Sequence, residues 1–188
     1  MPRTLYDLSK DDWNTLFPVE LVDHNPKWAI LFEEEKRSIF LGVDKDSILQ
    51  IEHFGSTSIP NIKAKPYIDI IIAIPENLLF DQTLIDYFEH LGYTYFLVPE
   101  RDNIPAYMSF GKGYGPKGYT GQVFHLHVCP KNHFMWKQIS FRDYLVTHPE
   151  SAKKYEQLKL ESAKKHKNDR GKYVLSKTEF INEILEKA

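Results

Sequence analysis

The stretch from Ile51 to Ala73 constrains this chain more than any other. An apolar strand that ends at Phe54 runs into the turn Gly55-Ser56-Thr57-Ser58, and a second apolar strand then carries Asp69 among isoleucines. A glycine in such a turn lets the backbone approach a ligand closely, because it has no Cβ. A carboxylate on an isoleucine strand is costly to bury without a cation or hydrogen-bond donors. The segment therefore predicts a binding site and not only a piece of core.

The rest of the chain predicts strands with helices between them, which is typical of an α+β fold, an α/β sandwich built on a mixed sheet. Near-continuous apolar character over 67–74 predicts a central strand covered on both faces. We expect one domain over 1–188, with charged helices added at its C-terminal end. The predicted strands are 19–22, 47–54, 67–74, 93–98, 106–112 and 123–128. The predicted helices are 10–16, 26–41, 81–91, 133–146, a helix opened by a capping box at Thr147 and running to 167, and a last helix opened by a capping box at Ser176.

Composition narrows the class of protein. A net charge of −2 gives no overall field that favours nucleic acid, and the lysines after position 150 are typical of a solvated helix face. The single cysteine, Cys129, excludes an internal disulfide and fits a reducing compartment. The first residues lack the apolar run of a signal peptide, and no stretch is apolar for long enough to span a membrane. We therefore expect a soluble cytoplasmic protein whose oligomeric state stays open.

His125 and His127 form a second group of candidate functional residues. They lie two positions apart on a predicted strand and therefore on one face. With Asp69 on a neighbouring strand they predict a two-histidine, one-carboxylate site for a divalent metal ion. The alternative is a pair of hydrogen-bonded histidines that fill a cleft, with Asp69 as an acceptor for N–H groups of the turn.

Phosphate binding is the chemistry indicated by the turn. The hydroxyls and N–H groups of Ser56, Thr57 and Ser58 could cradle an anion, although such residues also serve as ordinary caps and turns. Lys65 could neutralise a phosphate, and the planar guanidinium of Arg101 suits phosphate oxygens. For both residues a solvent-exposed side chain is the alternative.

Residues 113–121 predict a flexible glycine-rich loop. Its tyrosines, Tyr114 and Tyr119, could stack on a base, or the loop could act as a lid without base contacts. Arg142, followed by Asp143, predicts a structural ion pair.

In order along the chain, five stretches resemble the GrpB-like family, which has a nucleotidyltransferase-type fold. They are Val22-Asp23-His24-Asn25-Pro26-Lys27-Trp28, then Ile51 to Pro60, then Lys65-Pro66-Tyr67-Ile68-Asp69-Ile70, then His125-Leu126-His127-Val128, and finally Phe141-Arg142-Asp143-Tyr144-Leu145 with His148-Pro149-Glu150.

This resemblance implies the nucleotidyltransferase pattern of a Gly-Ser turn followed by strand carboxylates that hold divalent cations. Gly55 and Ser56 match the turn and Asp69 matches the first acid, whereas Ile71 stands where the second acid belongs. Glu52 and His53 precede the turn on opposite faces of their strand. Glu52 is preferred as a second catalytic group, because it shares the face of Phe54, the residue that leads into the turn.

Three functions follow from these observations. The first is a nucleotidyltransferase-like protein that binds a nucleotide or another phosphate-bearing small molecule in a metal-assisted pocket and transfers a nucleotidyl or phosphoryl group. The second is a binding module that lost the second acid and does no chemistry. The third is a metal-dependent phosphohydrolase that uses Asp69, His125 and His127.

Overall fold

The computed structural model describes residues 4–44, 46–101 and 104–188. Its centre is a five-stranded sheet in the order β1-β2-β5-β4-β3. The pair β2–β5 is parallel, and the other three pairs are antiparallel. Helices cover both faces, so the predicted α+β architecture with a mixed sheet is confirmed. The strands are β1 Gln50–Phe54, β2 Tyr67–Ile74, β3 Thr94–Val98, β4 Tyr107–Gly115 and β5 Gly118–Pro130.

Seven α-helices surround this sheet in the described ranges, and several of them begin where the sequence predicts. The Ser9 hydroxyl accepts from the amide of Asp12 at 3.1 Å, and the Asp81 carboxylate accepts from the amide of Leu84 at 3.0 Å. Each bond satisfies one of the free N–H groups at a helix start. The helices are α1 Lys10–Leu16, α2 Lys27–Phe40, α3 Gln82–His90, α4 Lys137–Thr147, α5 Pro149–Lys165, α6 Arg170–Leu175 and α7 Thr178–Leu185. In the described ranges, none is both long enough and apolar enough to cross a membrane.

The two faces of the sheet differ in character. On one face the alternate residues of β2, such as Ile70 and Ile72, are fully buried against Phe32 of α2 and Phe88 of α3. The other face carries Asp69, and its covering is made of separate pieces. Trp136 and α4 pack at one end, whereas Phe17 and Trp13, from α1 and its C-terminal end, pack at the other. The polar residues of the sheet are therefore left in a cleft between these pieces.

Three expectations about local structure are wrong. Residues 19–22 form no strand; Val22 makes only an isolated bridge with Ala64. The capping boxes fail because both hydroxyls are engaged elsewhere: Thr147 donates to the carbonyl of Asp143, and Ser176 donates to the carbonyl of Tyr173, each at 2.9 Å.

The third correction concerns 113–121, which is a hairpin and not a loop. The strands β4 and β5 continue through the region and pair Tyr114 with Tyr119 and Gly115 with Gly118. Phe17 lies against both tyrosines, with ring centroids 4.8 and 5.0 Å away. Aromatic packing across the strands thus orders a segment that glycine content alone marks as irregular.

Candidate ligand-binding site

The Gly55 turn lies directly against Asp69. In the β1–β2 pair Phe54 stands opposite Asp69, so the turn begins beside the carboxylate. Gly55 has a φ of +71°, and a Cβ placed on it would lie 2.3 Å from Oδ2 of Asp69. Both the backbone conformation and the space therefore require glycine at this position. The turn and the acid predicted from the sequence form one compact unit.

Asp69 is the first member of a hydrogen-bonded series. Its Oδ1 lies 3.1 Å from Nδ1 of His125, and Nε2 of His125 lies 2.6 Å from the hydroxyl of Tyr114. The side chains of Asp69 and His125 are 27% and 24% exposed, so the pair remains open to a ligand. The parallel register, which places Asp69 beside His125, brings the two residues together from distant parts of the chain.

The proton positions in this series follow from Asp69. Burial alone would raise the pKa of its carboxyl, but the hydrogen bond from His125 and the charges of His125, His127 and Lys65 outweigh burial and lower the pKa. An ionised carboxylate only accepts, so Nδ1 of His125 carries the proton. In the neutral form of this tautomer Nε2 is an acceptor, and the Tyr114 hydroxyl donates to it. The Asp–His pair therefore presents a basic nitrogen that Tyr114 masks.

His127 lies on the same face but does not join the pair. Its Nδ1 is 3.3 Å from the hydroxyl of Tyr107, and burial lowers its pKa to about 4 despite the attraction of Asp69. Within the described part of the chain, no three His, Cys, Asp or Glu side chains are grouped so that they could hold a metal ion. The donors thus do not fit a preformed metal centre, since Asp69 and His125 bond each other. The divalent ion stays a prediction, and no step below depends on it.

Cationic side chains lie above this pair. Lys65 precedes β2, Arg170 begins α6, and Lys177 precedes α7. The Nζ of Lys65 lies 5.7 Å and the Nζ of Lys177 4.5 Å from the centre of the Tyr173 ring. In the described ranges no carboxylate lies within 4.0 Å of either ammonium group, as the ion pairs show.

The surroundings of Lys65 and Lys177 disfavour the charged forms of both amines. Burial, with the charges of Arg170 and Lys177, lowers the pKa of Lys65 to about 7, although Asp69 opposes the shift. Burial lowers the pKa of Lys177 to about 8, again against Asp69. Two half-buried amines without an anionic partner are costly to keep charged. An anion in the cleft would remove that cost.

The hydroxyls of the turn are engaged with protein groups. Thr57 is buried and donates to the carbonyl of Tyr67 at 2.9 Å, and Ser58 donates to the carbonyl of Gly55 at 2.6 Å. Ser56 is hydrogen-bonded to the hydroxyl of Tyr155, a residue whose pKa burial raises to about 12. Their first role in this structure is to hold the turn in shape against β2 and α5.

Two further predicted residues lie apart from the cleft pair. Glu52 is on the face of Asp69, but Gln50 donates to it at 2.9 Å and Arg142 lies 3.3 Å away. Arg142 also bonds Asp143 at 2.7 Å, so the predicted ion pair is present. Arg101 follows β3, the strand at the far edge of the sheet, and its side chain is exposed.

Sequence reasoning missed Arg170 and Lys177. Arg170 donates to the carbonyl of Phe17 at 2.7 Å and lies 3.4 Å from the hydroxyl of Tyr67. Both residues lie in a lysine-rich region that is typical of a solvated surface, and only the folded chain brings them over β2. The one signal in the sequence was that region's excess of positive charge.

Fold and site together define an α+β protein with a mixed sheet and a polar cleft, in which an Asp–His pair lies near lysines that form no ion pair within the described ranges. Over residues 18–187 the chain matches the model of the family described as GrpB protein. The chain belongs to the GrpB family.

Relatives of known sequence and structure agree with this assignment. The chain is 37% identical to UPF0157 protein YqkA of Bacillus subtilis over 90% of its length but spans only 47% of that relative. It is 34% identical to the glutamate-rich protein GrpB of Alkalihalophilus pseudofirmus, over 89% of the chain and 94% of the relative. The crystal structure of conserved protein GrpB from Enterococcus faecalis matches with a TM-score of 0.72 and 29% identity, over 89% of this chain and 96% of that one. Fold and family are thus shared with these proteins.

Proposed function

We propose that the cleft binds a phosphate-bearing small molecule, whose anionic groups lie between Lys65, Lys177 and Arg170. The observation that carries the proposal is a pair of lysines close enough to Asp69 to interact with its charge, neither of which has a carboxylate partner among the described residues. Below about pH 7, where both amines are protonated, three cations against one carboxylate leave an excess of positive charge in the cleft. A phosphate would pair with the amines and with the planar guanidinium.

The Asp–His pair gives this binding site a chemical capability. When a ligand hydroxyl displaces Tyr114, Nε2 of His125 is positioned to accept its proton, and Asp69 stabilises the imidazolium that forms. For transfer, the oxygen freed of its proton would attack phosphorus while the bond to the leaving group breaks. The second acid of the nucleotidyltransferase pattern is absent, because Ile71 stands there fully buried. Binding is therefore the primary proposal, and proton acceptance by His125 is its catalytic extension.

Titration calorimetry with inorganic tripolyphosphate tests the binding. We expect Lys65→Met and Lys177→Met each to weaken the Kd about 10- to 100-fold, as for loss of a charged hydrogen bond. Lys153→Met is the matched control, since its side chain is 71% exposed on α5, and should leave the Kd unchanged. EDTA should also leave it unchanged, because the donor geometry offers no preformed metal centre.

The pH dependence gives a second readout. Protonated lysine binds phosphate, so affinity should fall as pH rises through 7 and 8, where the two amines lose their protons. An unchanged Kd in both lysine variants, or no tripolyphosphate binding at pH 6, would overturn the proposal. Loss of binding in EDTA that Mn²⁺ restores would instead support the metal-assisted form. Phosphate or pyrophosphate released from nucleoside triphosphates by the wild type, but not by His125→Gln, would establish catalysis.

A further inference from the structure

A hollow of about 380 Å³ lies beside the cationic cleft. Pockets of about 300–1,000 Å³ are the usual size for small ligands. Its apolar wall comes from Pro18, Val22, Pro66 and Val123, and its aromatic wall from Tyr67 and Tyr119. Tyr119 is 47% exposed, so part of its ring is available to a planar ligand.

The hollow and the cleft share a boundary. Pro66 lines the hollow, and its neighbours in the chain are Lys65 of the cleft and Tyr67. The Nζ of Lys65 lies 4.6 Å from the centre of the Tyr67 ring, while the hydroxyl of Tyr67 lies 2.5 Å from that of Tyr119. The cleft and the hollow therefore meet at Lys65, Pro66 and Tyr67.

The polar groups of the hollow offer acceptors. The side-chain nitrogen of Gln122 donates to the carbonyls of Pro66 and Val123 at 2.7 and 3.0 Å. Both amide hydrogens are thereby used, which leaves Oε1 as the group that can meet a ligand. The exposed carboxylate of Glu20, also in the lining, is an acceptor too. Such a lining matches a ligand that carries hydrogen-bond donors.

We propose that this hollow binds the nucleobase of the ligand and prefers bases with an exocyclic amino group. The proposal rests on the proposed function, because it extends the phosphate site. The base stacks on Tyr119, and its amino group donates to Glu20 or to Oε1 of Gln122. Adenine and cytosine carry such an amino group, whereas hypoxanthine and uracil carry a carbonyl in its place.

Calorimetry with matched nucleotides tests the preference. We expect ATP to bind about tenfold more tightly than ITP, and CTP about tenfold more tightly than UTP, as for one hydrogen bond to a charged group. ATP should also bind more tightly than tripolyphosphate, because stacking adds affinity. Tyr119→Ala should weaken the affinity for ATP about tenfold and leave the affinity for tripolyphosphate unchanged. Tyr119→Phe, which keeps the ring, should retain the affinity for ATP. Glu20→Gln should reduce the factor by which ATP binds more tightly than ITP.

The outcomes separate the two proposals. Equal Kd values for ATP, ITP and tripolyphosphate, with no effect of Tyr119→Ala, would overturn the nucleobase site while the lysine variants still report on the phosphate site. Adenosine that binds in a Tyr119-dependent way without any tripolyphosphate binding would overturn the phosphate site and support the base site. Failure of every nucleotide and of tripolyphosphate to bind would overturn both.

Discussion

At the scale of single residues, the contact between Gly55 and Asp69 governs the site. The carboxylate occupies the space that any other side chain at position 55 would need. The close approach keeps Asp69 in line with His125 on the neighbouring strand. A change at Gly55 should therefore alter the chemistry of the cleft as well as the stability of the turn.

Gly55→Ala tests this dependence. We expect a loss of about 2 kcal/mol or more in the free energy of unfolding, because strain at positive φ adds to the clash with Oδ2. Gly92→Ala is the matched control: φ is +86° there and nothing lies within 4 Å of an added Cβ, so only strain, about 1 kcal/mol, applies. Urea denaturation measures both. Equal losses in the two variants would show that the contact with Asp69 carries no cost.

At the scale of elements, α5 fixes the connection that leads into β2. Glu156 accepts from the amide of Lys63, and the ammonium of Lys159 donates to the carbonyl of the same residue. Lys159 is only 1% exposed, and burial with the charge of Lys177 lowers its pKa to about 7 against the attraction of Glu156. The helix α5 thus holds both the amide and the carbonyl of Lys63, two positions before Lys65.

Lys159→Met measures what this attachment contributes. Methionine fills similar space but leaves the carbonyl of Lys63 unpaired, so we expect a loss of about 1–3 kcal/mol in the free energy of unfolding. Lys153→Met on the exposed side of α5 should stay within about 0.5 kcal/mol of wild type. Urea denaturation at pH 7 compares the two. A Lys159→Met protein as stable as wild type would mean that burying the amine costs as much as its hydrogen bond contributes.

Element boundaries show what could be predicted. The isoleucine run fixes β2 at the predicted bounds, the cap at Ser9 fixes α1 and apolar periodicity fixes α3, because those signals are local. The hairpin through Tyr114 and the failed cap at Thr147 depend on contacts with other elements, which no local pattern contains. The same distinction applies to the site: Asp69 and His125 stand out on their strands, whereas Arg170 and Lys177 gain their position from the packing of distant helices.

At the scale of the whole molecule, a histidine buried on the α2 side of the sheet makes the stability of the fold depend on acid. His53 is 8% exposed on the side of α2, where its ring stacks on Phe32 at 5.0 Å. Thr57 already donates to Tyr67, so Nε2 of His53 donates to Thr57. Burial lowers the pKa of His53 to about 4, although Asp69 attracts the charged form and Arg142 and His24 repel it. The folded protein therefore holds this histidine neutral.

Acid should destabilise the fold through His53. Its pKa is lower folded than unfolded, so between about pH 6.5 and 4 the unfolded chain binds more protons and stability falls as pH falls. The full shift of the His53 pKa corresponds to about 3 kcal/mol in the free energy of unfolding. His53→Gln keeps an N–H donor for Thr57 without titrating, and should show a shallower pH dependence. Urea denaturation from pH 7 to 4.5 measures the slopes, and identical slopes would contradict the assignment.

The parallel pairing of β2 with β5 has a consequence for the order in which the chain becomes functional. The β1–β2 pair is local, whereas Asp69 meets His125 only after 56 further residues, and Arg170 reaches the carbonyl of Phe17 across 153. Pairings of such sequence separation form late in folding. During synthesis, which proceeds from the N-terminus, Asp69 and His125 are both made before Arg170 and Lys177. A chain released before α6 would keep Lys65 beside Asp69 but would lack Arg170 and Lys177. Its cleft would then hold one lysine against one carboxylate, without the excess of positive charge that the finished protein offers to an anion.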